Sequence, residues 1–287
     1  MRILTALAAA LTAVSLSAQT PLIDQGRAAM ARGDADAAIE LYEKAVAQTP
    51  NSAEAHFGLG GAYGTKAQRS GMFAAARLAG KTKEEFEKAV ALNPNYVDAR
   101  FALVEFYTIA PGFMGGSYDK ALQQAQEIKK RDPLMGHRAF AFIYSAQKKP
   151  ELAKKELTDA VAAQPNSGRA HAYLAQHLAN AEKNYKAAFE ELETAIKVEP
   201  SYMSAWYALG RTAGVAGTNL ARGEEALKKY LGYTPKENEP PLAGAHYWLG
   251  AIYEKQGRKA DAKQSYQTAL KLNPSLKQAS EALKRVS

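Results

Sequence analysis

The sequence predicts an all-α solenoid of stacked antiparallel helix pairs, closed by a C-terminal capping helix. Three observations predict it. Leucine, glycine and an aromatic residue recur at helical spacing, most completely as Leu59-Gly60-Tyr63 and Leu249-Gly250-Tyr253, and the second helix of most copies carries alanines spaced around a large apolar residue. A proline closes nearly every copy: Pro50, Pro94, Pro133, Pro165, Pro200 and Pro274. A single helical hairpin of this length cannot bury its apolar face alone, so each copy requires neighbours.

The most regular copy runs from His246 to Pro274. Leu249 and Gly250 are followed by Tyr253, then by Ala262, Tyr266 and Ala269. Gly250 and Ala262 are placed where two helices cross closely, and Tyr253 and Tyr266 fill the space beside the crossing. Gly257 ends the first helix and Pro274 stops the second.

In chain order the helix pairs are expected over 22–51, 52–95, 96–134, 135–166, 167–201, 202–235 and 242–274. In the first, Gly26 sits at the crossing, Gly33 and Asp34 make the turn, and Asp34 caps the next helix. The second pair is about ten residues longer than a standard repeat. Its extra material, 64–83, extends the helices or forms a protruding turn; Arg69, Met72, Phe73 and Arg77 make it a candidate contact surface. The third pair carries a long connector, 110–117, where Pro111 stops a helix, Gly115 and Gly116 free the backbone and Ser117 caps the next helix. This glycine pair lacks the phosphate-loop spacing and no strand precedes it, so it is not a nucleotide cradle. The fourth pair is regular, and the fifth carries one extra residue near its turn, around Asn184. The sixth opens on Trp206, Leu209 and Gly210, has a glycine-rich turn at 216–224, and is followed by a proline-rich connector expected to break the stacking register. Over 275–287, Ser275 is expected to cap a last helix whose apolar face is Leu276, Ala279, Ala282 and Leu283.

These copies resemble the tetratricopeptide repeat (TPR) family, whose pattern is L-G-x2-Y, A-x3-[FY]-x2-A and a closing proline. The resemblance covers about nine tenths of the chain. It implies a right-handed superhelix of antiparallel pairs, with the first helix of each pair lining a concave groove. Carried over residue by residue, the groove presents Arg27, Phe57, Phe101, Glu105, Arg138 and Phe142. Further along it presents Gln176, Tyr207, Arg211, Tyr247 and Glu254. Aromatics and arginines of this kind suit an extended peptide or a partner's tail. The family's two-carboxylate clamp of Lys and Asn is not reproduced here, so that ligand is not transferred.

The chain has 287 residues, a formal net charge of +8 and no cysteine. Disulfides, thiolate metal sites and a cysteine nucleophile are thereby excluded. The charges are interspersed along helical faces without a dense basic block, which argues against nucleic acid as a partner. Met1 to Ala18 reads as a signal peptide: a positive start, an apolar run from Ile3 to Leu16, and cleavage between Ala18 and Gln19. The run is too short to span a bilayer comfortably, so no stable membrane insertion is expected after cleavage. Export in a bacterium, to the periplasm, is the expectation.

His56, His137, His171 and His246 fall at one repeat position, which Trp206 occupies in the sixth copy. Equivalent positions on stacked helices lie about 10 Å apart, too far for imidazoles to share a metal at about 2 Å each. They read as packing residues. Paired carboxylates such as Glu84 with Glu85 are adjacent on helices and point apart; most face Lys at helical spacing. No catalytic, metal or cofactor constellation emerges. The expected function is therefore a non-catalytic exported scaffold that binds a protein or peptide partner in its concave groove. The alternative is a periplasmic assembly factor or holdase handling envelope proteins.

Overall fold

A computed structural model describes residues 21–236 and 239–287; the expected signal peptide, 1–18, lies outside them. Helices and short turns account for the described residues, with no strand among them. The chain divides into two compact units, one ending at Gln147 and the other spanning Lys148–Ser287. The division falls within the fourth expected pair.

The first unit contains α1 (21–31), α2 (Ala35–Gln48), α3 (Ala53–Ala67) and α4 (Met72–Leu92). It continues with α5 (Val97–Ile109), a 3-10 turn at Gly112–Met114, α6 (Tyr118–Arg131) and α7 (Pro133–Ala146). Short polar side chains start several of these helices by accepting an orphan backbone N–H: Asp34 from Ala37, Ser52 from Ala55, Ser117 from Lys120 and Asp132 from Met135. The material at 64–83 lengthens one helix of the pair and not both: α3 has 15 residues. The same material extends α4 to 21 residues, and it leaves Met72 and Phe73 exposed at the tip of the hairpin.

The second unit contains α8 (Pro150–Ala163), α9 (Gly168–Asn180), α10 (Tyr185–Val198), α11 (Met203–Ala216) and α12 (Leu220–Leu231). After the proline-rich connector come α13 (Leu242–Lys255), α14 (Lys259–Leu272) and α15 (Lys277–Val286). Ser275 does not cap α15. Its hydroxyl donates to Asn273 at 2.8 Å, and Leu276 stands at the cap position without a side-chain bond. The helix begins one residue later than expected, which leaves Ser275 one position short of the cap.

Close helix crossings explain the small residues. A Cβ on Gly250 would meet the Tyr266 ring at 2.6 Å, and one on Gly60 would meet the Phe86 ring at 2.6 Å. Tyr266 is fully buried as a result, and its hydroxyl donates to Glu254 at 2.7 Å. At the turn between α13 and α14, Gly257 has a φ of 76°, a left-handed conformation that a side chain resists.

The repeat position shared by histidine and tryptophan has a second task. His56 Nε2 donates to the Pro50 carbonyl at 2.8 Å, His171 Nε2 to Pro165 at 2.9 Å, and Trp206 Nε1 to Pro200 at 3.0 Å. In the third copy Arg100 Nε takes the same role toward Pro94 at 2.9 Å. Each donor reaches back six residues to the proline that closed the preceding repeat. Helix ends leave carbonyls without intrahelical partners, and a side-chain donor at this junction gives one of them a protein partner. His56 and His171 also place Nδ1 against a carboxylate of their own second helix, Glu85 at 2.5 Å and Glu191 at 2.6 Å. His137 and His246 differ. The residue six before His137 is Arg131, not proline, and the Pro240 carbonyl six before His246 is taken by the Tyr230 hydroxyl at 2.5 Å.

The sixth and seventh pairs are joined by Glu224 on α12. It accepts from Lys228 at 2.7 Å, Arg258 at 2.9 Å and Gln256 at 3.3 Å. Burial alone would raise the pKa of this carboxyl, but the three donors outweigh it and hold the pKa at about 2. A depressed carboxylate pKa stabilises the fold above the unfolded value and loses that contribution as pH falls toward the folded value. Glu224→Gln should therefore lower stability at pH 7 by about 2 kcal/mol. Denaturant titrations should show the deficit closing as pH drops from about 4 to about 2.

Candidate functional site

The expected ligand-facing residues divide into packing residues and residues that line hollows. Arg27 on α1 is engaged by Asp24 at 3.0 Å and by Glu54 of the next repeat, so it ties repeats together. Phe57 on α3 is half-buried, 5.1 Å from the Tyr96 ring and 5.8 Å from that of Phe86. Phe101 on α5 is buried under Arg138, whose guanidinium sits 4.4 Å above the ring; Phe142 of α7 lies 6.3 Å away. That aromatic-arginine stack leaves Phe142 and Arg138 half-buried.

Glu105, one turn along α5, enters a groove of about 510 Å³. The groove arises because three helices turn small residues toward one another. α3 contributes Gly61 and Gly64 and α4 contributes Ala79 and Thr82. An added Cβ at Gly61 would meet nothing within 4 Å, so the hollow is open above it. α5 supplies Phe106 and Ile109, and Pro111 and Met114 of the connector form the end wall. The connector is held in place by its glycines. Gly115 is left-handed at a φ of 99°, and a Cβ on Gly116 would strike the Ala110 carbonyl. Two departures from repeat regularity, the long second pair and the 110–117 connector, thus border one cavity.

Glu105 keeps solvent access at the groove mouth, and no hydrogen bond to it is found among the described residues. The surrounding protein desolvates its carboxyl and pushes the pKa up, against the opposing charge of Arg138.

In the second unit, Gln176 of α9 and Tyr207 and Arg211 of α11 converge on a cleft of about 180 Å³. Arg211 donates to Asn180 at 3.1 Å and lies 6.0 Å from the Trp248 ring. Burial pushes the pKa of the Tyr207 hydroxyl up, while a hydrogen bond from Trp248 and the charge of Arg211 act the other way. Tyr247 is not part of this cleft. It packs edge-on against Trp248 at 4.7 Å and borders a separate hollow of about 270 Å³ with Glu254 and Arg285, which pair at 3.2 Å. Sequence reasoning missed Asn180 and Trp248; a polar residue one turn after Gln176 was the available signal for the first. It also missed Gly61 and Gly64, whose three-residue spacing puts both on one side of α3. The turn at 216–224 contributes Thr218 and Asn219 to an open hollow of about 590 Å³ with Lys183 and Tyr185, apart from the cleft.

Among the described residues no three His, Asp or Glu converge as a metal site requires. No described helix is long and apolar enough to cross a membrane.

Residues 26–66 match the family described as TPR repeat, and residues 243–276 match the one described as tetratricopeptide repeat. This is a tetratricopeptide repeat protein. A TPR protein of Parabacteroides merdae is similar over 94% of this chain and 99% of its own, at 16% identity and a TM-score of 0.53. Human IFIT1, solved as a dimer with m7Gppp-AAAA, is similar over 88% of this chain at 19% identity and a TM-score of 0.58. A chain of the APC/C hetero-tetramer Cut9–Hcn1 is similar over 91% of this chain at 15% identity and a TM-score of 0.53. The TPR chain spans 58% of the IFIT1 chain and 48% of the APC/C one. These likenesses establish the fold: an all-α TPR solenoid. No curated protein matches the sequence.

The raised pKa of Glu105 has a sign that can be checked. A carboxyl pKa raised in the fold means the charged form is penalised there, and the penalty is absent below the unfolded value. Glu105→Gln should raise the thermal midpoint at neutral pH, and the gain should vanish below about pH 4.

Proposed function

We propose that this TPR protein is a non-catalytic scaffold that binds a protein or peptide partner on the exposed faces of its first helices. The observation that carries the reading is the cleft where Gln176, Tyr207 and Arg211 converge. A guanidinium aligned by Asn180, a carboxamide in solvent and a tyrosine edge can together bind backbone and carboxylate groups of an extended chain. Protein is favoured over nucleic acid because many cations are already opposed by carboxylates of neighbouring repeats. Arg222 pairs with Glu193 at 2.8 Å, Arg258 with Glu224 at 2.9 Å and Arg27 with Glu54. A chain that wraps phosphates needs a continuous unopposed track of such cations. The nucleotide in the IFIT1 structure is therefore not carried over. Export to the periplasm, after cleavage between Ala18 and Gln19, completes the proposal.

A photo-crosslinking residue at position 207, activated in intact cells, tests this directly. One predominant protein adduct is expected, reduced about tenfold by Arg211→Ala. The mature chain recovered from the envelope should begin at Gln19. An RNA adduct, or a mixture of unrelated proteins in holdase fashion, would contradict the partner assignment. Recovery of a chain starting at Met1 would contradict export.

A further inference from the structure

The groove between α3, α4 and α5 has a chemistry of its own. It is apolar on three sides, and Glu105 is the only charged residue among those lining it. Ile109 on one wall is 70% exposed, and on the helix of the other wall Met72, one turn before the lining residue Ala75, is 68% exposed. Phe113, beside Met114 at the end wall, is 78% exposed. Apolar side chains gathered around an apolar hollow mark a surface that a partner covers. The groove is concave and lined at helical spacing by Gly61 with Gly64 on α3 and by Glu105, Phe106 and Ile109 on α5. A helix laid between these walls would place side chains at its own three- and four-residue spacing into them. A volume of about 510 Å³ has the size of an ordinary ligand pocket, enough for several large apolar side chains.

The one charged group specifies the rest. Glu105 is exposed at the groove mouth with no hydrogen-bond donor among the described residues, while the opposing cation Arg138 is stacked on Phe101 and lies 3.9 Å from Met135 Sδ. A carboxylate in an apolar wall is best satisfied by a ligand cation, through a charge-assisted hydrogen bond. We infer that this groove docks an amphipathic helix of a partner protein, seated by apolar side chains and fixed by one Lys or Arg on Glu105. This rests on the scaffold reading and adds the chemistry of the segment bound in the first unit. A membrane surface is the weaker fit, because a hollow holding a carboxylate gains nothing from anionic lipid.

The test uses a displayed library of random 16-residue peptides selected against the full chain. A Cβ at Gly61 meets nothing within 4 Å, so the variant Gly61→Leu projects its side chain into the hollow, and its thermal midpoint should equal or exceed that of the wild type. Selected peptides should carry apolar residues at helical spacing with one Lys or Arg, and should lose at least about tenfold in affinity for Gly61→Leu. Replacing that Lys or Arg by Gln should cost about tenfold on the wild type and nothing on Glu105→Gln. Peptides indifferent to Gly61→Leu, acid-rich peptides, or an absence of selection would overturn the proposal. So would co-sedimentation with phosphatidylglycerol vesicles that Gly61→Leu abolishes. If the adduct at position 207 forms in cells while the library result fails, the scaffold reading stands and only this groove assignment falls.

Discussion

At four of the junctions between repeats the same hydrogen bond recurs. A side chain at a fixed place on the first helix donates to the carbonyl of the proline that ended the previous repeat. Three unlike residue types perform it: His56 and His171, Arg100, and Trp206. What they share is an N–H at the right reach. Proline stops the preceding helix because its own nitrogen cannot donate, and the same interruption leaves its carbonyl in need of a partner. The second tie runs from the tyrosine of a first helix to a glutamate of the preceding second helix, Tyr63 to Glu43 and Tyr107 to Glu87, both at 2.6 Å. Repeats are therefore stacked by apolar burial and aligned by a few polar bonds, most of them partly buried.

On α3 and α5 that alignment leaves part of the opposite side without a packing task. On α3 the division is sharp. Gly60 is closed over by Phe86, while Gly61 opens onto the groove. On α5 the buried Leu103 and Tyr107 hold the core while Glu105, Phe106 and Ile109 border the hollow. The two faces follow from the helical period. Ligand-facing groups can vary without unstacking the repeats, and this is why a regular packing frame can carry irregular binding chemistry.

The fold was legible because packing repeats. The glycine at the crossing, the aromatic that fills it and the closing proline recur with the period of the repeat, and each occurrence supports the others. The site was legible only in part. Tyr207, Arg211 and Gln176 were found from their repeat position, and the structure brings them together. Arg27, Phe57 and Phe101 share that position class but are taken up by neighbours, since spacing does not say which adjacent side chain will cover a residue. Gly61 and Gly64 went unnoticed because a missing side chain leaves no chemical signature in a sequence. The long second pair and the 110–117 connector were recognised as departures, yet their meeting at one cavity depends on tertiary packing. Ser275 shows the reverse failure: a good capping residue stands one position before the place where the helix starts.

The separation of faces on the first helix is the claim on which the functional reading stands, and two adjacent glycines test it. Gly60→Ala places a methyl 2.6 Å from the Phe86 ring, whereas Gly61→Ala places one in open space. The measurement is the free energy of unfolding of each variant in denaturant. Gly60→Ala is expected to lose about 1–3 kcal/mol through overpacking. Gly61→Ala is expected to gain up to about 1 kcal/mol from helix propensity. Two changes of the same sign, or a loss at Gly61 as large as that at Gly60, would contradict the separation.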